Sequence, residues 1–181
     1  MPIQTPICDF GQKAIPFELK STDNKILSLN DIKGENGTLI MFICNHCPYV
    51  KAIIDRLVSD AIALQQRGIN RVAIMPNDYH TYPEDSPENM VTFINRHHIP
   101  FPYLIDETQQ VAKAYAAVCT PDFFGLNAEG KLHYRGRLDN AKMRTGDNRQ
   151  PELLEAMIKV AESGQGPEHQ IPSMGCSIKW K

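Results

Sequence analysis

Strand-like and helix-like patterns of apolar residues alternate along the chain. Phe17-Glu18-Leu19-Lys20 and Ile26-Leu27-Ser28-Leu29 alternate about the polar turn from Ser21 to Lys25, which predicts an N-terminal β-hairpin. Thr38 to Ile43 is a short continuous apolar run, the pattern of a strand covered on both faces. A helix follows, with Pro48 at its first position and Val50, Ile53, Ile54, Leu57, Ala61 and Leu64 repeating at three and four; Gly68 supplies the stop. Arg71 to Met75 reads as a second buried strand, and Ser86-Pro87 opens a helix with Met90, Phe93 and Ile94 on its inner face. Phe101 to Ile105 is a third strand, and a helix after Asp106 is expected to carry Val111, Tyr115 and Val118. Pro121 to Leu126 and Lys131 to Leu138 flank the turn Asn127-Ala128-Glu129-Gly130 as a second hairpin. Pro151 opens a last helix that stops at Gly164.

The order hairpin, βαβαβ, helix, hairpin, helix predicts an α/β fold with a central mixed sheet flanked by helices. A length of 181 residues fits one domain, residues 1–163, that buries roughly 70% of the surface its unfolded chain exposes. The Gly- and Pro-containing stretch from Gly164 to Pro172 links it to a C-terminal tail, residues 164–181. In that tail Cys176, Ile178 and Trp180 alternate with Ser177 and Lys179, so one apolar face is expected to dock on the domain or on a neighbouring subunit.

A formal net charge of -2 with 22% charged residues offers no basic field for nucleic acid and no polybasic membrane patch. The start MPIQTPICDF lacks the marks of a secretory signal, and no apolar run approaches the ~20 residues that cross a bilayer. The expectation is a cytoplasmic protein without nucleic-acid or membrane partners, its homo-oligomeric state left open. Five cysteines, Cys8, Cys44, Cys47, Cys119 and Cys176, are an odd number, which argues against a structural disulfide framework.

The chemistry concentrates in CNHCPYV, Cys44 to Val50, where the strand hands over to the helix. Cys47 falls at the N-cap, one residue before Pro48. Unpaired N–H groups and about half a positive charge at a helix N-terminus favour a thiolate, the nucleophilic form. His46 adds a positive charge when protonated. Two other readings stay open: inert buried thiols, or a metal held by Cys44, Cys47, Cys119 and His46. Asp78 and His80 lie in the loop after the second strand, where α/β sheets place their sites. Arg137 and Asp139 read as a charged strand edge, and His97 and His98 as a helix end.

Taken with GQKAIPFELKSTDNKILSLNDIKG and CTPDFFGLNAEGKLHYRG, this loop resembles the thioredoxin-like superfamily. The resemblance is closest to the peroxiredoxin-like branch of the alkyl hydroperoxide reductase/thiol-specific antioxidant (redoxin) family, and it extends through the tail GCSIKWK. It implies a thioredoxin-like fold with an N-terminal hairpin extension and a cis peptide bond at Thr120-Pro121, facing the active loop. In one register Cys47 is the nucleophile and Val50 stands where the second thioredoxin cysteine would be; in the other, Cys44 and Cys47 form the CxxC pair. Pro48 favours the first. Peroxiredoxins also place a proline after the reacting cysteine, but they carry a Thr or Ser where this chain has Cys44, and a proline where it has Ile40. A thiol is a poorer hydrogen-bonding partner than a hydroxyl, which counts against efficient peroxide reduction.

The resulting expectation is a thiol-dependent oxidoreductase without an organic cofactor. Cys47 would be resolved by Cys44, Cys119 or Cys176, and regenerated by a reductant such as thioredoxin or glutathione. The non-enzymatic alternative is a redox sensor or metal-binding module.

Overall fold

A computed structural model describes residues 2–181. In chain order the elements are β1 (Pro2–Gln4), β2 (Glu18–Ser21), β3 (Ile26–Ser28), α1 (Leu29–Ile32), β4 (Gly37–Phe42), α2 (Pro48–Gln65), β5 (Ile69–Met75), α3 (Pro87–His97), β6 (Tyr103–Ile105), α4 (Gln110–Ala114), β7 (Cys119–Thr120), β8 (Asp122–Leu126), β9 (Leu132–Tyr134), α5 (Glu152–Ser163) and β10 (Met174–Ser177). Seven strands form one sheet in the order β3-β2-β6-β5-β4-β8-β9. β4, β5 and β6 run parallel, and the other pairings are antiparallel, so the sheet is mixed.

β4 explains why both faces are covered. Leu39 and Met41 pack with α2, α3 and α5, whereas Ile40 and Phe42 pack with α1 and α4, and all four are fully buried. A strand with two apolar faces can only sit in the centre of such a layered structure. α2 buries Val50, Ile53, Ile54, Leu57, Ala61 and Leu64, the residues its periodicity selected. α3 is capped by the Ser86 hydroxyl, which accepts from Asn89 N–H, and α5 ends on Gly164 in the left-handed region.

Two elements are shorter than the sequence pattern predicts. α4 stops at Ala114 because the backbone turns left-handed at Ala116 and the Ala117 N–H closes back on the Ala112 carbonyl (2.9 Å), and beyond it the Val118 N–H goes to the Asp122 side chain (3.2 Å). β9 ends at Tyr134 because the Arg135 N–H bonds the Gln170 side chain instead of a neighbouring strand (2.8 Å). The Arg135 guanidinium turns inward to the buried Asp122 carboxylate, at 2.9 and 3.2 Å.

The tail docks on its own chain. β10 lies between β1 and β7 in a second, three-stranded sheet, with Cys176 opposite Thr120 and Ser177 opposite Cys119. Gly175 passes so close to the Thr120 carbonyl that a Cβ would collide with it. Ile178 is buried, but Trp180 departs from the expected apolar face. It is 42% exposed, with the Lys113 ammonium 5.5 Å from its ring.

Candidate functional site

The loop from Cys44 to Cys47 is fixed by a buried polar network. Asp85, at the end of a 3-10 turn (Pro83–Asp85), accepts the N–H of Asn45 (2.8 Å) and the side-chain amide of Asn77 (2.9 Å). The Tyr103 hydroxyl donates to the Asn45 side chain (2.9 Å). Lys179 N–H donates to Asn77 Oδ1 (2.9 Å), so the tail reaches the same network. His46 Nδ1 lies 2.6 Å from Asp85 Oδ2 but without hydrogen-bond alignment, and its ring stacks on Tyr82. Asp85 is fully buried, and it is the site residue that sequence reasoning missed. It sits in a loop read only as polar, and its partners Asn45 and Asn77 come from the loops that follow β4 and β5.

Cys47 is the N-cap of α2, and Pro48 begins the helix. Thr120-Pro121 is cis and faces it: Cys47 Sγ lies 3.2 Å from the Thr120 carbonyl, and Cys44 Sγ lies 3.4 Å from the Thr120 hydroxyl. The Cys44 and Cys47 sulfurs therefore converge on Thr120. The Cys47 thiol is held down to about 4 by the hydrogen bond from Cys44, against burial, with help from Val50 N–H and from the thiol and backbone of Cys176. The Thr120 carbonyl works the other way, since it accepts from the thiol and repels the thiolate. Donors on the other sides outnumber it, and ionisation of Cys47 wins.

The neighbours shift in the opposite direction. Cys44 is raised well above the ordinary thiol range, first because it donates to Cys47, then by burial and the Asp85 charge. Cys176 is pushed up to about 11 by burial and by its bond to Cys47. Cys119 is fully buried, donates to the Pro121 carbonyl (3.5 Å) and is raised by burial first. One thiolate ringed by protonated thiols can attack an electrophilic sulfur or oxygen and then be attacked in turn.

The remaining sequence candidates lie in other networks. Cys8 is half-buried and raised to about 11, chiefly by burial. His80 pairs with Glu107 (3.1 Å), and Asp78 accepts from the Thr81 hydroxyl (2.7 Å). His97 pairs with Asp55 (3.3 Å). Arg137 is held by Glu152, and Asp139 by Arg56 and Arg149. Both line a cavity of about 700 Å³ that also touches Tyr49, Pro121 and Phe123, with Ile171 and Met174 of the tail as one wall.

As for metals, Cys44, His46 and Asp85 offer ligand atoms within 4.8 Å of one another. Cys47 and Cys119 are not in that group, so the four ligands of the metal alternative raised from sequence are not brought together among the described residues. Among the described residues no helix is long and apolar enough to cross a membrane.

The sequence pattern of the AhpC/TSA family matches residues 10–135. Thiol-disulfide oxidoreductase ResA of Bacillus subtilis is 26% identical over 122 residues, covering 67% of this chain and 64% of that protein; the chain thus spans just under two thirds of that relative's length. An uncharacterized conserved protein of Geobacillus kaustophilus is 44% identical, with a TM-score of 0.94 over 100% of this chain and 97% of the other. The thioredoxin domain of a Bacteroides vulgatus thiol-disulfide oxidoreductase is 19% identical, with a TM-score of 0.59 over 70% and 86% of the two chains. That last likeness concerns the fold alone, which is thioredoxin-like.

Proposed function

The chain belongs to the AhpC/TSA family, and on that premise we propose that it is a thiol-dependent oxidoreductase with Cys47 as its nucleophile. The observation that carries the reading is the Cys47 sulfur at the N-terminus of an 18-residue helix, 3.2 Å from the Thr120 carbonyl of the cis Thr120-Pro121 pair, with its pKa pushed down and those of Cys44 and Cys176 pushed up. Attack on a disulfide forms a mixed disulfide and expels a thiolate. Attack on a peroxide forms a sulfenic acid and releases water or an alcohol. Thiol-disulfide exchange is the better supported of the two. Thr120 supplies a hydroxyl near the site, but that hydroxyl meets Cys44 and not the Cys47 sulfur. A small dithiol or a thiol reductant such as thioredoxin or glutathione would return the electrons, with no organic cofactor involved.

Stopped-flow mixing of reduced protein with glutathione disulfide or with hydrogen peroxide tests this, with Cys47→Ser as the control. Cys47-dependent reaction with the disulfide, faster than that of free cysteine, is the expected result. A rate equal to free cysteine for both oxidants would overturn the oxidoreductase reading, whereas a fast reaction with peroxide alone would make the protein an antioxidant peroxidase.

A second reading, a metal-holding redox sensor, is favoured by the Cys44, His46 and Asp85 cluster. Asp85 already accepts two hydrogen bonds there, which makes it a preoccupied ligand. Near-stoichiometric zinc in untagged protein, lost in Cys44→Ser, would support that reading.

A further inference from the structure

We propose that Cys176, carried by the tail strand, is the thiol that resolves Cys47, so that the oxidised protein holds a Cys47–Cys176 disulfide. The proposal rests on Cys47 being the nucleophile. Its own support is the register of β10. Cys176 stands opposite Thr120, the residue whose carbonyl touches Cys47 Sγ, and β10 packs against α2. From that position Cys176 packs against the buried cluster that contains Cys44 and Cys47, and it helps to lower the Cys47 pKa.

Three thiols compete for the role, and their surroundings rank them. Cys119 is enclosed, turned toward the Pro121 carbonyl, and faces the nearby Asp122 charge. Cys44 is 1% exposed and faces Asp85, whose negative charge opposes a second anion. Asp85 is held in place by Asn45 and Asn77 and cannot swing away. Cys176 is the only one of the three with partial exposure, and the Lys179 ammonium acts on it favourably. Once Cys47 is bound in a mixed disulfide, burial still raises Cys176 but the opposing Cys47 anion is gone. Cys176 then loses its proton to water with less opposition than Cys44, which still faces Asp85.

With a low-molecular-weight disulfide RSSR, Cys47 thiolate forms Cys47–S–SR, the original S–S bond breaks, and RS⁻ leaves and takes a proton from solvent. Cys176 gives its proton to water, attacks the Cys47 sulfur and expels the second RS⁻. Two electrons pass from the Cys47 and Cys176 pair to RSSR, yielding two RSH and the intramolecular disulfide. A thiol reductant of the class named above reverses the change.

Reduced wild-type protein, Cys44→Ser and Cys176→Ser are each given one equivalent of glutathione disulfide, quenched by alkylation, digested with trypsin and mapped by mass spectrometry. The wild type and Cys44→Ser are expected to give the tail peptide joined to the peptide that bears Cys47, with loss of both glutathione moieties. Cys176→Ser is expected to stall with glutathione on Cys47. A Cys44–Cys47 bond in the wild type with Cys176 alkylated, or full release of glutathione by Cys176→Ser, overturns this proposal while leaving Cys47 as the nucleophile. Neither glutathione nor any intramolecular disulfide on Cys47 in any variant overturns both readings together. Cys176 is partly exposed, so its serine variant keeps the fold, and circular dichroism checks that it does.

Discussion

If Cys47 is a thiolate in the folded protein and a thiol in the unfolded chain, stability must depend on pH in a way that Cys47→Ser removes. The folded group titrates at about 4, against roughly 8.5 for a free cysteine. A depressed pKa contributes stability that is fully present above the unfolded value and is lost as pH falls through the folded one. Between those limits the contribution changes by about 1.4 kcal/mol per pH unit. From pH 5 to pH 8 the wild type should therefore gain roughly 4 kcal/mol relative to Cys47→Ser. Cys44 and Cys176 neighbour position 47 in both proteins, so taking the difference between the two leaves the Cys47 charge as the main variable. The serine is also a good N-cap, which shifts one curve by a constant and leaves the slope unchanged. Urea denaturation under full reduction at pH 5, 6, 7 and 8 measures the gap, and thiolate absorbance near 240 nm locates the titration independently. Parallel stability curves for the two proteins over that range would refute a Cys47 thiolate, and with it the reason for making Cys47 the nucleophile.

Three further outcomes are expected. Gly175→Ala places a methyl against the Thr120 carbonyl, so β10 must shift, and alkylation of Cys47 by iodoacetamide at pH 7 should speed up; an unchanged rate would mean the strand accommodates the methyl in place. Arg135→Met leaves the fully buried Asp122 carboxylate without its partner, at a cost of about 3–5 kcal/mol in urea denaturation. The double variant Arg135→Met/Asp122→Leu should recover much of that loss. Leu57→Ala removes a side chain with no exposure from the inner face of α2, and should lower stability by about 2–5 kcal/mol without changing the Cys47 titration.

How legible the protein was in its sequence depends on how local each interaction is. The apolar spacing from Val50 to Leu64, with Pro48 ahead of it, is a local signal, and α2 and the N-cap position of Cys47 follow from it. Met41 beside Phe42 needs two covered faces, and β4 has them. The length of α4 was not legible, because nothing in the apolar spacing marks the left-handed turn at Ala116 that ends it. Nor was Asp85, whose partners Asn45 and Asn77 come from two separate loops. Cys176 was visible as a residue on an apolar stripe, but its place opposite Thr120 depends on a strand pairing across 56 residues of chain, which composition and periodicity do not encode.

The three-stranded sheet also sets an order of assembly on the ribosome. β1, β7 and β10 come from the beginning, the middle and the end of the chain, and β10 pairs Cys176 with Pro2 on one side and Thr120 on the other. Contacts that span nearly the whole sequence carry the largest loop-closure cost and form late. A nascent chain emerges from its N-terminus at about 5–20 residues per second. Cys47 and α2 therefore leave the exit tunnel several seconds before Met174–Ser177 has been made. In that interval the thiol at residue 47 has no Cys176 beside it, and the newly made polypeptide is at its most open to stray oxidants.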